Sequence, residues 1–144
     1  MAIRVQETVF DPWQELAVYQ EAHATDWPGR FGATAVFVGS LRDFNQGQVV
    51  TSMSLEHYPG MTEAYLAKIS AEARVRWELL DTLIIHRYGA ITLGEPIVLV
   101  AVWSAHRDAA FSACRYLIDE LKTRAPFWKR ETTPSGSRWV EENS

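Results

Sequence analysis

Hydrophobic residues recur along this chain with two different periods, and the switches between them divide it into strands and helices. From Ile3 to Val9 apolar residues alternate, with Glu7 the exception on that side, which predicts a strand. Asp11-Pro12 then supplies an N-cap and a first-turn proline. Trp13, Leu16, Ala17 and Gln20 follow at helical spacing, up to the punctuation at Trp27-Pro28-Gly29. Gly32 to Gly39 (GATAVFVG) and Val49 to Tyr58 (VVTSMSLEHY) predict two neighbouring strands. Between them lies the polar loop SLRDFNQGQ, with Arg42 near its start, and loops held between strands are common places for ligand contacts.

The longest helical pattern runs from Met61 to Trp77, where Met61, Tyr65, Leu66, Ile69, Ala73 and Trp77 fall at steps of three and four. Thr82 to Tyr88 and Ile97 to Trp103 are strand-like, joined through Gly89 and a Gly94-Glu95-Pro96 turn. The second run is apolar on both alternating sets, as expected of a central strand covered on both faces. A third helix is predicted from near Asp108, whose carboxylate can accept from the unpaired first amides, to about Arg124, where Ala125-Pro126 stops it. Phe127 to Thr133, a Pro134-Ser135-Gly136 turn and Ser137 to Glu141 then suggest a short hairpin or edge strands. The order β-α-β-β-α-β-β-α-β-β predicts an α+β protein, its helices packed on a mixed or mostly antiparallel sheet.

Composition narrows the function classes. Apolar residues make up 47% and charged residues 22% of 144, a folded rather than disordered balance, and no repeat or linker divides the chain, so a single domain over 1–144 is expected. One cysteine, Cys114, rules out an intrachain disulfide and fits a reducing, cytoplasmic setting. No apolar run approaches the roughly 20 residues that span a bilayer, so no membrane role is expected. A net charge of −4 gives no general attraction for nucleic acid. Between Ser104 and Arg130, however, six basic residues face three acidic ones, a local patch suited to a small anion.

That stretch holds most of the candidate chemistry. Ser104 to Asp108 passes from strand to helix, where free amides, the helix dipole and the side chains of His106 and Arg107 would suit a phosphate; an ordinary exposed cap is the alternative. Phe111, Cys114, Ile118 and Leu121 form an apolar seam, which makes Cys114 a core thiol rather than a nucleophile. Arg115 and Lys122, two turns apart, share nearly one face, and the turn at Pro126 could fold Lys129 back toward Lys122. Paired amines lower each other's pKa and can serve as base or anion holder; separately, they are a helix-terminal and a surface cation. Phe127, Trp128 and Trp139 could line a pocket for a flat heterocycle or belong to the core. The four histidines have no metal-ligand spacing, and nucleotide-loop and GxSxG patterns are absent, so no metal or cofactor is expected.

Five stretches carry a resemblance: FVGSLRDFNQG at 37–47, LEHYPGMTE at 55–63, IHRYG at 85–89, SAHRDAAFSAC at 104–114 and LKTRAPFWKRETTPSGSRWVEE at 121–142. Together, in this order, they closely resemble the large subunit of molybdopterin synthase. The resemblance implies an α/β hammerhead-like domain with an added α+β portion. It also implies a sulfurtransferase converting cyclic pyranopterin monophosphate to molybdopterin, the sulfur coming from the C-terminal Gly-Gly thiocarboxylate of a small ubiquitin-like subunit, with two donors used per dithiolene. The implied assembly is a heterotetramer, with two large subunits dimerised centrally and one small subunit at each end. Carried over residue by residue, the active-site lysines are Lys122 and Lys129, and the substrate-binding residues are Arg42, His106, Arg107 and, in the tail motif, Arg138. Ser40 departs from a lysine of other members, and Glu142-Asn143-Ser144 follows WVE where some carry a further basic residue. The rival readings are a non-catalytic adaptor capturing a partner's C-terminal tail in the same basic pocket, and an RNA-binding domain, which the acidic total counts against.

Overall fold

The computed structural model describes residues 1–23, 25–45, 48–134 and 136–140. Ten strands and three helices follow one another among these residues: β1 (Ala2–Gln6), α1 (Pro12–His23), β2 (Ala33–Ser40), β3 (Phe44–Asn45), β4 (Gln48–Val49), β5 (Ser52–His57), α2 (Met61–Trp77), β6 (Asp81–Arg87), β7 (Gly89–Thr92), β8 (Pro96–Ser104), α3 (Arg107–Thr123), β9 (Phe127–Thr133) and β10 (Gly136–Val140). One sheet has the order β1-β6-β8-β2, with β1 parallel to β6 and the other pairs antiparallel. A second, wholly antiparallel sheet has the order β10-β9-β5-β7. This is the α+β, mixed-sheet architecture expected of a hammerhead-like domain.

The doubly apolar run does form a central strand. β8 lies between β6 and β2 and is buried almost throughout. Period-two alternation sends Val98, Val100 and Val102 toward α2 and α3, where they meet Leu66, Ile69, Ala113 and Leu117. The opposite set, Leu99, Ala101 and Trp103, faces α1 with Phe10 and Trp27. Trp103 is fully buried, and its indole N–H donates to Gln20 Oε1 at 2.9 Å, satisfying the one polar atom that burial would otherwise strand. Each Leu, Ile or Val so buried contributes about 1.5–3 kcal/mol relative to exposure.

Three differences from the sequence pattern have physical causes. The turn residues at 89–95 contribute a further strand, β7, because Gly89 at φ +83° lets the chain leave β6 sharply and cross to the second sheet. The crossing is fixed by Arg87, whose buried guanidinium donates to the carbonyls of Glu7 and Ala90 and to the Glu95 carboxylate. The N-cap of α3 is His106 rather than Asp108, which sits inside the first turn, and no side chain caps the helix. Phe111 of the expected apolar seam stands 67% exposed, while Cys114, Ile118 and Leu121 are buried as expected. The hairpin appears as β9 and β10; Glu141, assigned to its second strand from sequence, lies outside the described residues. No helix among the described residues is long and apolar enough to cross a membrane.

Candidate active site

Lys122 occupies the last turn of α3, where a cation complements the negative end of the helix dipole. Just beyond it the chain reverses. The amides of Arg124 and Ala125 both bond to the Glu120 carbonyl, and that of Phe127 bonds to the Ala125 carbonyl at 2.8 Å. The reversal launches β9 back under the helix end. Alternation along β9 then turns Phe127, Lys129 and Glu131 inward and Trp128 and Arg130 outward. In register, Lys129 pairs with Leu55 on one side and Val140 on the other, so the amine rises from the middle of the second sheet.

Arg42 arrives from a third direction. Leu41 is clamped to the β7–β8 turn by two backbone bonds, its amide to the Glu95 carbonyl and its carbonyl to the Gly94 amide. Arg42 therefore leaves the end of β2 from a fixed point. Together these elements enclose a cavity of about 290 Å³, lined by Arg42, Lys122, Lys129, Glu131, His86 and Phe37 among others.

The electrostatics follow from this convergence. Burial, reinforced by the charges of Lys122 and Arg42, pulls the Lys129 amine down to about 8, against a smaller opposing effect of Glu131. Lys122 is lowered as well, by burial and then by Arg42. Glu131 is buried, and Arg138, its cross-strand partner, donates to its carboxylate at 3.2 Å. His86 is held neutral, at about 3, by burial and then by the charges of Lys129 and Lys122, its bond to a backbone carbonyl opposing them. The cavity thus keeps cations close together in a partly dehydrated place. It can neutralise an anion, stabilise an oxyanion, and supply an amine able to lose its proton near neutrality.

Of the six site residues picked out from sequence, the fold brings Arg42, Lys122 and Lys129 together. Arg138 stands behind Glu131 rather than on the cavity wall. His106 and Arg107 are exposed at the opposite end of α3; fifteen residues separate Arg107 from Lys122, about 22 Å along the axis. Arg115 does not share the cleft with Lys122, being exposed and paired with Asp119 at 3.4 Å. Of the aromatic group only Phe127 lines the cavity, since Trp128 and Trp139 lie on the outer face of the second sheet. The sequence reading missed His86, Glu131 and Phe37. For His86 the available signal was a histidine directly after the apolar run Leu83-Ile84-Ile85 of β6; for Glu131 it was its place two residues from Lys129 on one strand face. Cys114 is buried, and burial raises its thiol to about 11, as a core role requires. No cluster of three or more metal-ligating side chains occurs among the described residues.

A two-sheet α+β scaffold that closes a small cationic cavity over a helix end, with two half-buried amines inside, has the size and charge to take a compact anion. The MoaE protein family model matches residues 8–124. A molybdopterin synthase catalytic subunit of Pseudomonas aeruginosa is 57% identical over 141 residues, covering 98% of this chain and 91% of that protein. The solved MoaE protein of Burkholderia ambifaria superposes with a TM-score of 0.79 at 47% identity, covering 100% of this chain and 92% of that one. A molybdopterin synthase structure from Staphylococcus aureus gives 0.82 at 31% identity, covering 95% of each chain. The chain belongs to the MoaE family of molybdopterin synthase catalytic subunits.

Proposed function

We propose that this chain transfers sulfur from the C-terminal thiocarboxylate of a small ubiquitin-like partner to cyclic pyranopterin monophosphate, two sulfurs per molybdopterin dithiolene. The observation that carries this reading is the convergence of Lys122, Lys129 and Arg42 on one cavity in a chain of this family. Arg42 and Lys129 hold the phosphate and the negative charge that develops as its ring opens. Lys122, at the cavity wall and lowered in pKa, lies against the donor carbonyl, polarises it and moves protons at the carbon that receives sulfur. A thiocarboxylate brings its own reactive sulfur, so placement supplies much of the rate; once that sulfur has bonded to the pterin carbon, water cleaves the acyl C–S bond and the donor leaves as a carboxylate. Arg138 acts through Glu131, keeping that carboxylate beside Lys129.

His106 and Arg107 lie too far along α3 to reach a ligand held by Lys122 of the same chain. Their substrate role therefore requires a second copy of the chain, which the central dimer of the proposed heterotetramer supplies. Reconstitution with the thiocarboxylated small subunit and the precursor tests the reading. The wild-type chain should yield molybdopterin, and Lys122→Ala should nearly abolish it while the two-subunit complex still forms. Turnover retained in that variant rejects the role of Lys122. A complex that forms with the wild-type chain but converts nothing leaves only tail capture.

A further inference from the structure

One polar side chain of the cavity is buried, uncharged and unused by the reaction as described. His86 sits near the end of β6, two residues beyond Ile84, on the sheet face that meets α2 and α3. Its residue surface is 7% exposed and it lines the cavity. The ring stacks on Phe127 with centroids 3.9 Å apart and planes 17° from parallel. Nδ1 lies 2.7 Å from the Arg87 carbonyl oxygen. A carbonyl can only accept, so Nδ1 carries the hydrogen and the neutral ring has its lone pair on Nε2. Nε2 has no hydrogen-bond partner among the described residues.

The company of this nitrogen makes it distinctive. Arg42, Lys122 and Lys129 are donors with no acceptor capacity when charged. Glu131 accepts, but its carboxylate is engaged by Arg138. A ligand held here by its phosphate therefore meets mostly donors among the charged groups, the hydroxyls of Ser40 and Thr123 being the other side-chain acceptors of the wall, and a ring N–H or O–H that finds no acceptor stays unpaired on burial, at a cost in affinity. Proton transfer is a poor use for His86, because burial and the neighbouring ammonium groups keep its ring neutral near pH 7. A permanently neutral acceptor, fixed in tautomer and in plane by its two contacts, is suited to recognition.

We propose that His86 is a specificity-determining residue, its Nε2 accepting a hydrogen bond from a ring N–H or O–H of the bound heterocycle. The proposal rests on the pterin reading of the cavity and assigns His86 the ring, where the cations take the phosphate. Substituting His86→Phe keeps the ring, the volume and the stack on Phe127 and removes both nitrogens. Anaerobic calorimetry with cyclic pyranopterin monophosphate should then show about tenfold weaker binding. His86→Gln, whose amide oxygen falls near the Nε2 position, should recover most of the loss. Sulfate, an anion with no hydrogen-bond donor, should bind wild-type and H86F alike. If H86F does not fold, His86→Asn carries the test, because it retains a donor for the Arg87 carbonyl and places no acceptor at the Nε2 position. Precursor affinity unchanged in the variant, or an equal loss for sulfate, overturns the role of His86. A wild-type chain that binds sulfate but no precursor overturns the pterin reading itself.

Discussion

Replacing Lys129 with methionine keeps most of the side-chain length and removes a charge that folding holds in an unfavourable place. The amine falls from 10.5 to about 8 in the folded chain. At 1.36 kcal/mol per unit this sets a ceiling of about 3 kcal/mol on the penalty, and partial solvent contact at the cavity mouth reduces the expected gain to about 1–2 kcal/mol. The sign is fixed by linkage. Between about pH 8 and 10.5 the unfolded chain binds this proton more readily than the folded one, so the parent gains stability as pH rises through that window. Lys129→Met should therefore exceed the parent by the full amount below about pH 8, and the difference should vanish near pH 10.5. Glu131 keeps Arg138 as partner, so the substitution does not strand the buried carboxylate. Urea denaturation at about pH 7 and pH 10, read by linear extrapolation, measures both values. No gain at the lower pH, or the same gain at both, refutes the account of Lys129 as a dehydrated cation among cations. The stabilised variant should also lose product formation, an exchange of stability for activity typical of strained sites.

Glu131→Gln removes the group that raises the Lys129 pKa, so the alkaline fall in kcat/KM for the precursor should move to lower pH; a pH–rate profile with an unmoved limb contradicts the coupling. Cys114, buried with its thiol raised to about 11, should resist iodoacetamide at pH 7.5 in the folded protein and react once the chain is unfolded in urea, with mass spectrometry as the readout. At Gly32 an added Cβ would lie 2.4 Å from the Ala105 carbonyl oxygen, so Gly32→Ala must push the strand away from the loop that leads to His106. A loss of about 1–3 kcal/mol in thermal or urea unfolding is expected, and an unchanged midpoint would mean that the loop yields freely.

Much of the framework was legible in residue order because it depends on short-range periodicity. The helix from Met61 to Trp77 was bounded correctly by its apolar spacing, and the two-sided apolar run at Ile97 to Trp103 named the central strand, since only a strand covered on both faces has no polar side. The long signature stretches placed the chain in its family, and core spacing made Cys114 inert. Tertiary structure decided where each face looks. Helical spacing put Phe111 with Cys114, yet no neighbouring element covers Phe111; the same spacing put Arg115 with Lys122, yet only Lys122 lies where β9 returns. The approach of Lys129 to Lys122 depends on the reversal at 124–127, and the removal of Arg107 from both follows from the length of α3. His86 joined the cavity through contacts with Phe127, a residue 41 positions away in sequence, so its place on the cavity wall was not legible from its neighbours along the chain. A pattern of neighbours along the chain fixes which side of an element is apolar, whereas the charge, dehydration and free lone pairs of a site arise only when distant segments share one small volume.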